Sequence, residues 1–376
     1  MTFNVHTVIN ILNIKTFYCV ERQLVPDILS LGDLIMLIRH FVLPATIAAT
    51  SFFSINAHAQ LDANQTLNQF NAIVFGNVVS HSHVDGRTWV GGNVSGGDYV
   101  QHAGDTPASS YAGLTVKGNA SNLHVNGLGA VIVGNFSNAI VNTGSTAVLG
   151  NVTNSNLNGP AYVAGISSGS NFNGGDKLPS PNDTMQTNLA AVDSTDFHSL
   201  LSNTSSALSQ LSNTSSVTVN GSTATFSAVA DATGLAVFNL TDAEATQIFS
   251  LGQFDFLLNG ATTVIINSGL ENISISANFL ASSAHTIGSS VIWNFYDASS
   301  IVLNSQFGGS VLAVDATLTN YQNIEGGVYV QNLNQHGEIH LQPFTGNLVT
   351  AVPEPSSYVM FLIGLGLLAF AARRRT

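Results

Sequence analysis

His81, His83 and Asp85 alternate along the chain, so on a β-strand all three would point to one face. Two imidazoles and a carboxylate suffice for weak zinc binding. No second His or Cys group with recognisable ligand spacing accompanies them, so a structural or solvated role is expected and no metal, cofactor or catalytic residue is assigned. Asp98, Asp105 and Asp297 lie near turns and could offer oxygens to calcium. Neither an Asp-x-Asp-x-Asp-Gly loop nor an RTX-type nonapeptide is present, which leaves calcium a minor alternative. Gly165-Ile166-Ser167-Ser168-Gly169 spells a nucleophile elbow, but it sits among Gly, Ser and Asn without the strand-to-helix surroundings that expose such a serine. Gly364 to Ala369 echoes a dinucleotide fingerprint inside an apolar terminal segment and is set aside. Glycoside hydrolysis needs two carboxylates about 5 to 10 Å apart, which the sequence does not place; Glu325 and Glu338 are the least implausible acids, and the elements containing them look structural. The near absence of Lys and Arg counts against a lyase acting on acidic sugars, and no enzyme is expected.

The composition fits that reading. Charged residues are 8% of 376, while Asn, Ser, Thr and Gly abound, a balance suited to turn-rich β structure. Hydrophobic residues still reach 45%, enough for a sizeable core, so the polar content does not imply disorder. Between Gln60 and Val352 the basic residues are Arg87, Lys117 and Lys177 against 17 acidic ones, which excludes nucleic acid as a natural partner. Cys19 is the only cysteine, so no disulfide framework is available.

Both ends carry address signals. From Met36 a short basic region containing Arg39 and His40 precedes the apolar run Phe41 to Ile55 and the A-x-A pattern Ala57-His58-Ala59, predicting a signal peptide over 36–59 with cleavage before Gln60. Residues 1–35 are then an over-extended start; the alternative is an N-terminal domain with an uncleaved anchor. At the other end Pro353-Glu354-Pro355 is followed by an apolar stretch, Tyr358 to Ala372, and by Arg373-Arg374-Arg375. Fifteen helical residues span about 22 Å against a hydrocarbon core of roughly 30 Å, a marginal transmembrane helix whose arginines favour a cytoplasmic end. Motif, apolar segment and arginine stop in that order resemble a PEP-CTERM tail. The resemblance implies recognition by an exosortase-type membrane protease and transfer to the outer surface or exopolysaccharide matrix of a Gram-negative bacterium. A plain membrane anchor is the alternative.

Between the ends Gly-Asn pairs recur at Gly76-Asn77, Gly92-Asn93, Gly118-Asn119, Gly134-Asn135 and Gly150-Asn151. The step is 16 residues except where a longer loop around Gly104 intervenes. Each pair closes an apolar run, such as Ala72 to Phe75 or Ala130 to Val133, and both residue types tolerate the positive φ of a corner. Strand, turn and return at a fixed period predict a β-solenoid. Similar runs at 263–267, 273–277, 291–295, 300–303, 310–313 and 327–330 predict that it resumes later. Between the halves Met185, Leu189, Val192, Leu200, Leu208 and Leu211 fall at three- and four-residue steps, predicting one long flanking α-helix over about 181–211 that packs along the solenoid or covers an edge. A second short helix is predicted near Asp242 to Phe249.

The same region resembles the choice-of-anchor A family. The opening matches are Phe70 to Asn77, Val84-Asp85-Gly86-Arg87 and Val90-Gly91-Gly92-Asn93; the closing ones are Gly309 to Ala313, Ile324-Glu325-Gly326 and Glu338-Ile339-His340 to Phe344. It departs at Val314, where the family usually has proline. The resemblance covers 70–346 and implies an adhesin-like surface module, with Asp85 part of a turn pattern. The expected protein is mainly β: a solenoid ectodomain over 60–346, a linker over 347–357, and a sorting tail over 358–376. It is exported and adhesive or exopolysaccharide-associated. The alternatives are an ice- or glycan-binding module and an envelope carbohydrate-active enzyme.

Overall fold

The computed structural model describes residues 60–348 other than 176. Segment 1–35, the signal peptide with Ala57 and Ala59, the motif Pro353-Glu354-Pro355, the apolar tail and Arg373 to Arg375 lie outside the described residues. Among the described residues no helix is long and apolar enough to cross a membrane.

Each coil of the first half contributes three short strands. The first coil has Ala72–Val74, Val78–Ser80 and His83–Val84; the second has Thr88–Val90, Val94–Ser95 and Asp98–Tyr99. Equivalent strands pair in parallel, Ala72 with Thr88, Val78 with Val94 and His83 with Asp98, so the predicted β-solenoid forms with three faces. Side chains alternate across each strand, and Ala72, Val74, Val78, Val84, Val90 and Val94 fill the interior, fully buried.

The Gly-Asn pairs set the corners, but not through positive φ. Gly92, Gly118, Gly134 and Gly150 each donate their N–H to the carbonyl of the glycine one coil back, at 2.7–3.1 Å, and none of them has a positive φ. Glycine is required because the coils touch there: a Cβ on Gly134 would lie 2.4 Å from the Gly118 carbonyl oxygen. Positive φ falls at the following corner instead, at Asn122, Asn138 and Asn154 (56°, 51° and 49°). The asparagine of each pair continues the ladder. Oδ1 of Asn77, Asn93, Asn119 and Asn135 accepts the backbone N–H of the next asparagine at 2.8–2.9 Å, satisfying donors that the turn would leave open.

The first described strand lies in the middle of the solenoid. After α1 (Ala63–Gln69), strand Ala72–Val74 lies between Thr88–Val90 on one side and the late strand Val328–Gln335 on the other. The first half stacks outward as far as Ala161–Val163. The second half starts at the opposite end with Leu235–Leu240 and stacks back through Thr263–Ser268, Val291–Phe295 and Ser310–Asn320 to the first coil. A short sheet of Ser216–Asn220, Thr223–Ser227, Gln253–Leu257 and Asn278–Phe279 stands at that far end. There Phe226, Phe254 and Trp293 form a packed aromatic centre.

The return between the halves is two helices, α2 (Asp183–Ala191) and α3 (Phe197–Ser209), not the single helix predicted over 181–211. The break has a local cause. Ser194 Oγ bonds back to the Ala191 carbonyl, and Asp196 accepts from the Ser199 backbone N–H at 3.1 Å, capping a new helix. The hydrogen bonds from Ser199 hold the Asp196 carboxyl below the usual carboxylate range. The helices do lie along the solenoid as expected, α2 on the early coils and α3 on the late ones. Phe197 wedges between Phe70, Trp89 and Tyr111, with ring centroids 5.1–5.5 Å apart. Buried Arg87 ties down the longer loop, donating to the Tyr111, Gln69 and Pro107 carbonyls, while burial lowers its pKa to about 10. Then come α4 (Asp242–Phe249), at the predicted position, and α5 (Ser283–Ile287). Packing runs on through Leu348, which is buried against α1, two residues past the expected boundary.

Gly134→Ala is expected to destabilise the fold by about 1–3 kcal/mol, because backbone, not a flexible side chain, blocks the new methyl. Gly104→Ala, with nothing within 4 Å of its Cβ, should stay within about 0.5 kcal/mol of the parent in the same urea titration.

Candidate functional site

The helices cover the face built from Ala72–Val74 and its equivalents. The face built from Val78–Ser80 is open. Its outward residues form a continuous row: Ser274, Val302, Thr319, Asn334, Val79, Ser95, Ser121, Ser137, Thr153 and Ser168, each in register with the next. Ten rungs at about 4.8 Å reach about 43 Å. A parallel row of Asn272, Ser300, Thr317 and Asn332 continues into the Asn77–Asn151 ladder. Neither row contains a charged side chain. Such a face offers hydroxyls and amides at a fixed repeat, with Val79 and Val302 as apolar contacts.

The third face carries the titratable groups. It runs from Asn171–Phe172 through His124–Val125, Asp98–Tyr99 and His83–Val84 to Ile339–His340, Ile324–Glu325 and Phe307–Gly308. At its middle the first coil meets the last, Val84 pairing with Ile339. Strand alternation turns His83 and Asp85 of one coil, and Glu338 and His340 of the other, to the same side. His340 Nδ1 lies 2.7 Å from Glu325 Oε1, and its Nε2 lies 2.7 Å from Glu338 Oε2. His83 Nε2 lies 3.7 Å from that Glu338 oxygen and 3.4 Å from Asp85 Oδ1. His285 and Gln306 complete the surroundings of the buried Glu325.

The electrostatics follow from this packing. The Glu325 hydrogen bond raises His340 to about 9; burial opposes it, and Glu338 and the charge of Asp85 add to it. Burial of Glu325 would raise its carboxyl, but hydrogen bonds from His340, His285 and Gln306 outweigh that and hold it down at about 2. Its bond to His340 lowers Glu338 as well.

Several sequence candidates end up apart. His81 does not share the face of His83 and Asp85; it sits at the preceding turn and stacks on His336 at 5.3 Å, which in turn stacks on Tyr321 at 5.1 Å. Asp98 pairs with His124 at 2.7 Å and Asp105 with His102 at 3.6 Å, while Asp297 is exposed in a turn after Val291–Phe295. Ser167 lies in the short strand Ser167–Ser168 with its hydroxyl buried, so the elbow string has no strand-to-helix turn. Glu325 and Glu338, the acids named together in the sequence for glycoside hydrolysis, share one imidazole. His340 drew attention only as part of a closing motif; its signal was the alternating pair Glu338-x-His340, matching His83-x-Asp85.

In buffer without added metal ions, the raised His340 contributes stability in full below its ordinary pKa of about 6.5 and loses it as pH rises through about 9. Glu325, held low, contributes above about 4.5 and loses it as pH falls towards about 2. Urea titrations between pH 6.5 and 9.5 should therefore show a loss of about 2 kcal/mol. That loss should shrink in Glu325→Gln, and a parent curve flat over this range would contradict it.

A family model described as "Putative Ice-binding-like adhesive domain" matches residues 63–341, which takes in the open face and every residue of the seam cluster. A second, the PEP-CTERM protein-sorting motif, matches residues 351–375. No curated protein and no solved structure matches the chain. The first match spans well over half of the 376 residues and runs from α1 to the last strand of the third face. The chain belongs to the ice-binding-like adhesive domain family, as an exported surface protein with a PEP-CTERM sorting motif behind the domain.

Proposed function

We propose that this protein is a non-enzymatic adhesin whose open hydroxyl and amide face binds an extended, regularly repeating and electrically neutral ligand, extracellular polysaccharide before others. The observation that carries this is the uncovered ten-rung row. A neutral row pays little desolvation penalty against a neutral glycan, and repeated weak hydrogen bonds add along its length. The resemblance to the choice-of-anchor A family supports the same reading. Against catalysis stands the sharing of the His340 imidazole by Glu325 and Glu338, with Glu325 buried. Ice is the second reading, favoured by the regular two-row spacing and by the family description.

The sorting motif implies processing by an exosortase, a membrane protein. The address belongs to the same proposal: passage through the inner membrane of a Gram-negative cell, removal of the signal peptide before Gln60, and release of the domain to the outer surface or matrix.

Ser121→Tyr and Thr153→Tyr place bulky rings on the row without touching the interior. Each should weaken sedimentation with the organism's own polysaccharide by about tenfold or more and leave the melting temperature unchanged. Equal binding by parent and variants would remove the face from the argument, and release of reducing sugars would favour the enzyme. Inhibition of ice recrystallisation, lost in the same variants, would move the ligand to ice. Intact mass with cell fractionation should show a species starting at Gln60 and lacking the residues after Pro355; a full-length tail in the inner membrane would reduce the motif to an anchor.

A further inference from the structure

His83, Glu338 and His340 form the one group of three His, Cys, Asp or Glu residues among the described residues whose donor atoms all lie within 4.8 Å of one another. They come from the first and last coils of the solenoid. Beside them Asp85 is fixed by one oxygen only: its Oδ2 accepts from the Leu341 N–H at 3.1 Å. Its Oδ1 is buried without a hydrogen-bond partner, on a side chain 8% exposed, and faces His83 Nε2 at 3.4 Å. A buried carboxylate oxygen left without a hydrogen bond is costly, and only imidazoles approach this one, His83 Nε2 at 3.4 Å and His102 Nε2 at 3.8 Å.

We infer that the seam holds one divalent cation of the zinc class, ligated by His83 Nε2, His340 Nε2 and Glu338 Oε2, with water in the fourth position and the Asp85 carboxylate beside His83 as a further negative charge. Donors 2.0–2.1 Å from a tetrahedral ion stand about 3.3–3.4 Å from one another. The His83–Glu338 separation, 3.7 Å, is slightly wider than that, and the 2.7 Å contact of Glu338 with His340 opens slightly to admit the ion. The shell behind the donors is already present. Glu325 Oε1 lies against His340 Nδ1, which fixes the tautomer that points Nε2 at the ion. Two imidazoles with one carboxylate select a borderline metal over calcium, which takes six to eight oxygens. The donors also remain reachable, His83 and His340 being 28% and 29% exposed and Glu338 39%. The ion would staple residues more than 250 positions apart, so its binding energy would add to the stability of the closed solenoid.

The test uses the full chain, stripped with EDTA and transferred to metal-free buffer at pH 7.5. Calorimetric titration with Zn2+ should give one ion per chain, and Co2+ should give the intense visible bands of a four-coordinate site. The melting temperature should rise on adding Zn2+ and fall again with chelator. His83→Gln and Glu338→Gln, each compared with its own metal-free melt, should weaken Zn2+ at least tenfold and lose the rise in melting temperature. His124→Gln, in the exposed pair two coils along, should bind as the parent does. Absence of stoichiometric uptake by the parent, or equal uptake by parent, His83→Gln and Glu338→Gln, would overturn the inference; the parent titration decides whether a site exists and the variants decide where.

Discussion

The pairing of Ala72–Val74 with Val328–Val330 is the contact on which the other features rest. It turns two stacks into one continuous sheet and removes two open strand edges from the middle of the molecule. Around it the chain has placed its most specific polar bonds. Asn71 Nδ2 donates to the Gly326 and His340 carbonyls, its Oδ1 accepts from the Gly86 N–H, and the Tyr329 hydroxyl reaches the Leu67 and Phe70 carbonyls. Asn332 passes the asparagine ladder across the same boundary to Asn77. These bonds satisfy backbone groups that a mismatch between the halves would leave buried and unpaired.

The three faces then divide the work. One is apolar on its outside as well as its inside, with Ile73, Trp89, Val131, Ile265 and Ile292 facing α2 and α3, and it becomes a second core. One is open and uncharged. The third gathers histidines and carboxylates where the coils of the two halves meet. The low charge of the chain follows from this division, since ladders of amides and hydroxyls do on the surface what ion pairs do elsewhere.

Most of the fold was legible because its period is enforced by contact. The 16-residue step is visible in the sequence since a side chain at Gly92, Gly118 or Gly134 would strike the coil beneath. The mechanism first attached to those glycines was wrong, because φ is a local property and the restriction acts between coils. The helix break was hidden because apolar spacing carries across Val192 to Asp196, and only the caps at Ser194 and Asp196 interrupt it. The seam cluster was not legible at all. Its two halves are written as His83-x-Asp85 and Glu338-x-His340, and their adjacency depends on a topology in which the ends of the domain meet at its centre.

That topology has a mechanical consequence. The described chain ends at Leu348, whose N–H donates to Asn64 Oδ1 on α1, so entry and exit lie side by side near mid-length. A solenoid pulled from a spatially terminal coil unzips one coil at a time, each rupture meeting a single interface. Here the coil nearest the exit is flanked on both sides, by Ser310–Asn320 and by Ala72–Val74 and Val78–Ser80. Tension arriving at Leu348 must shear two interfaces together before any coil can peel, which suits an adhesive domain under load.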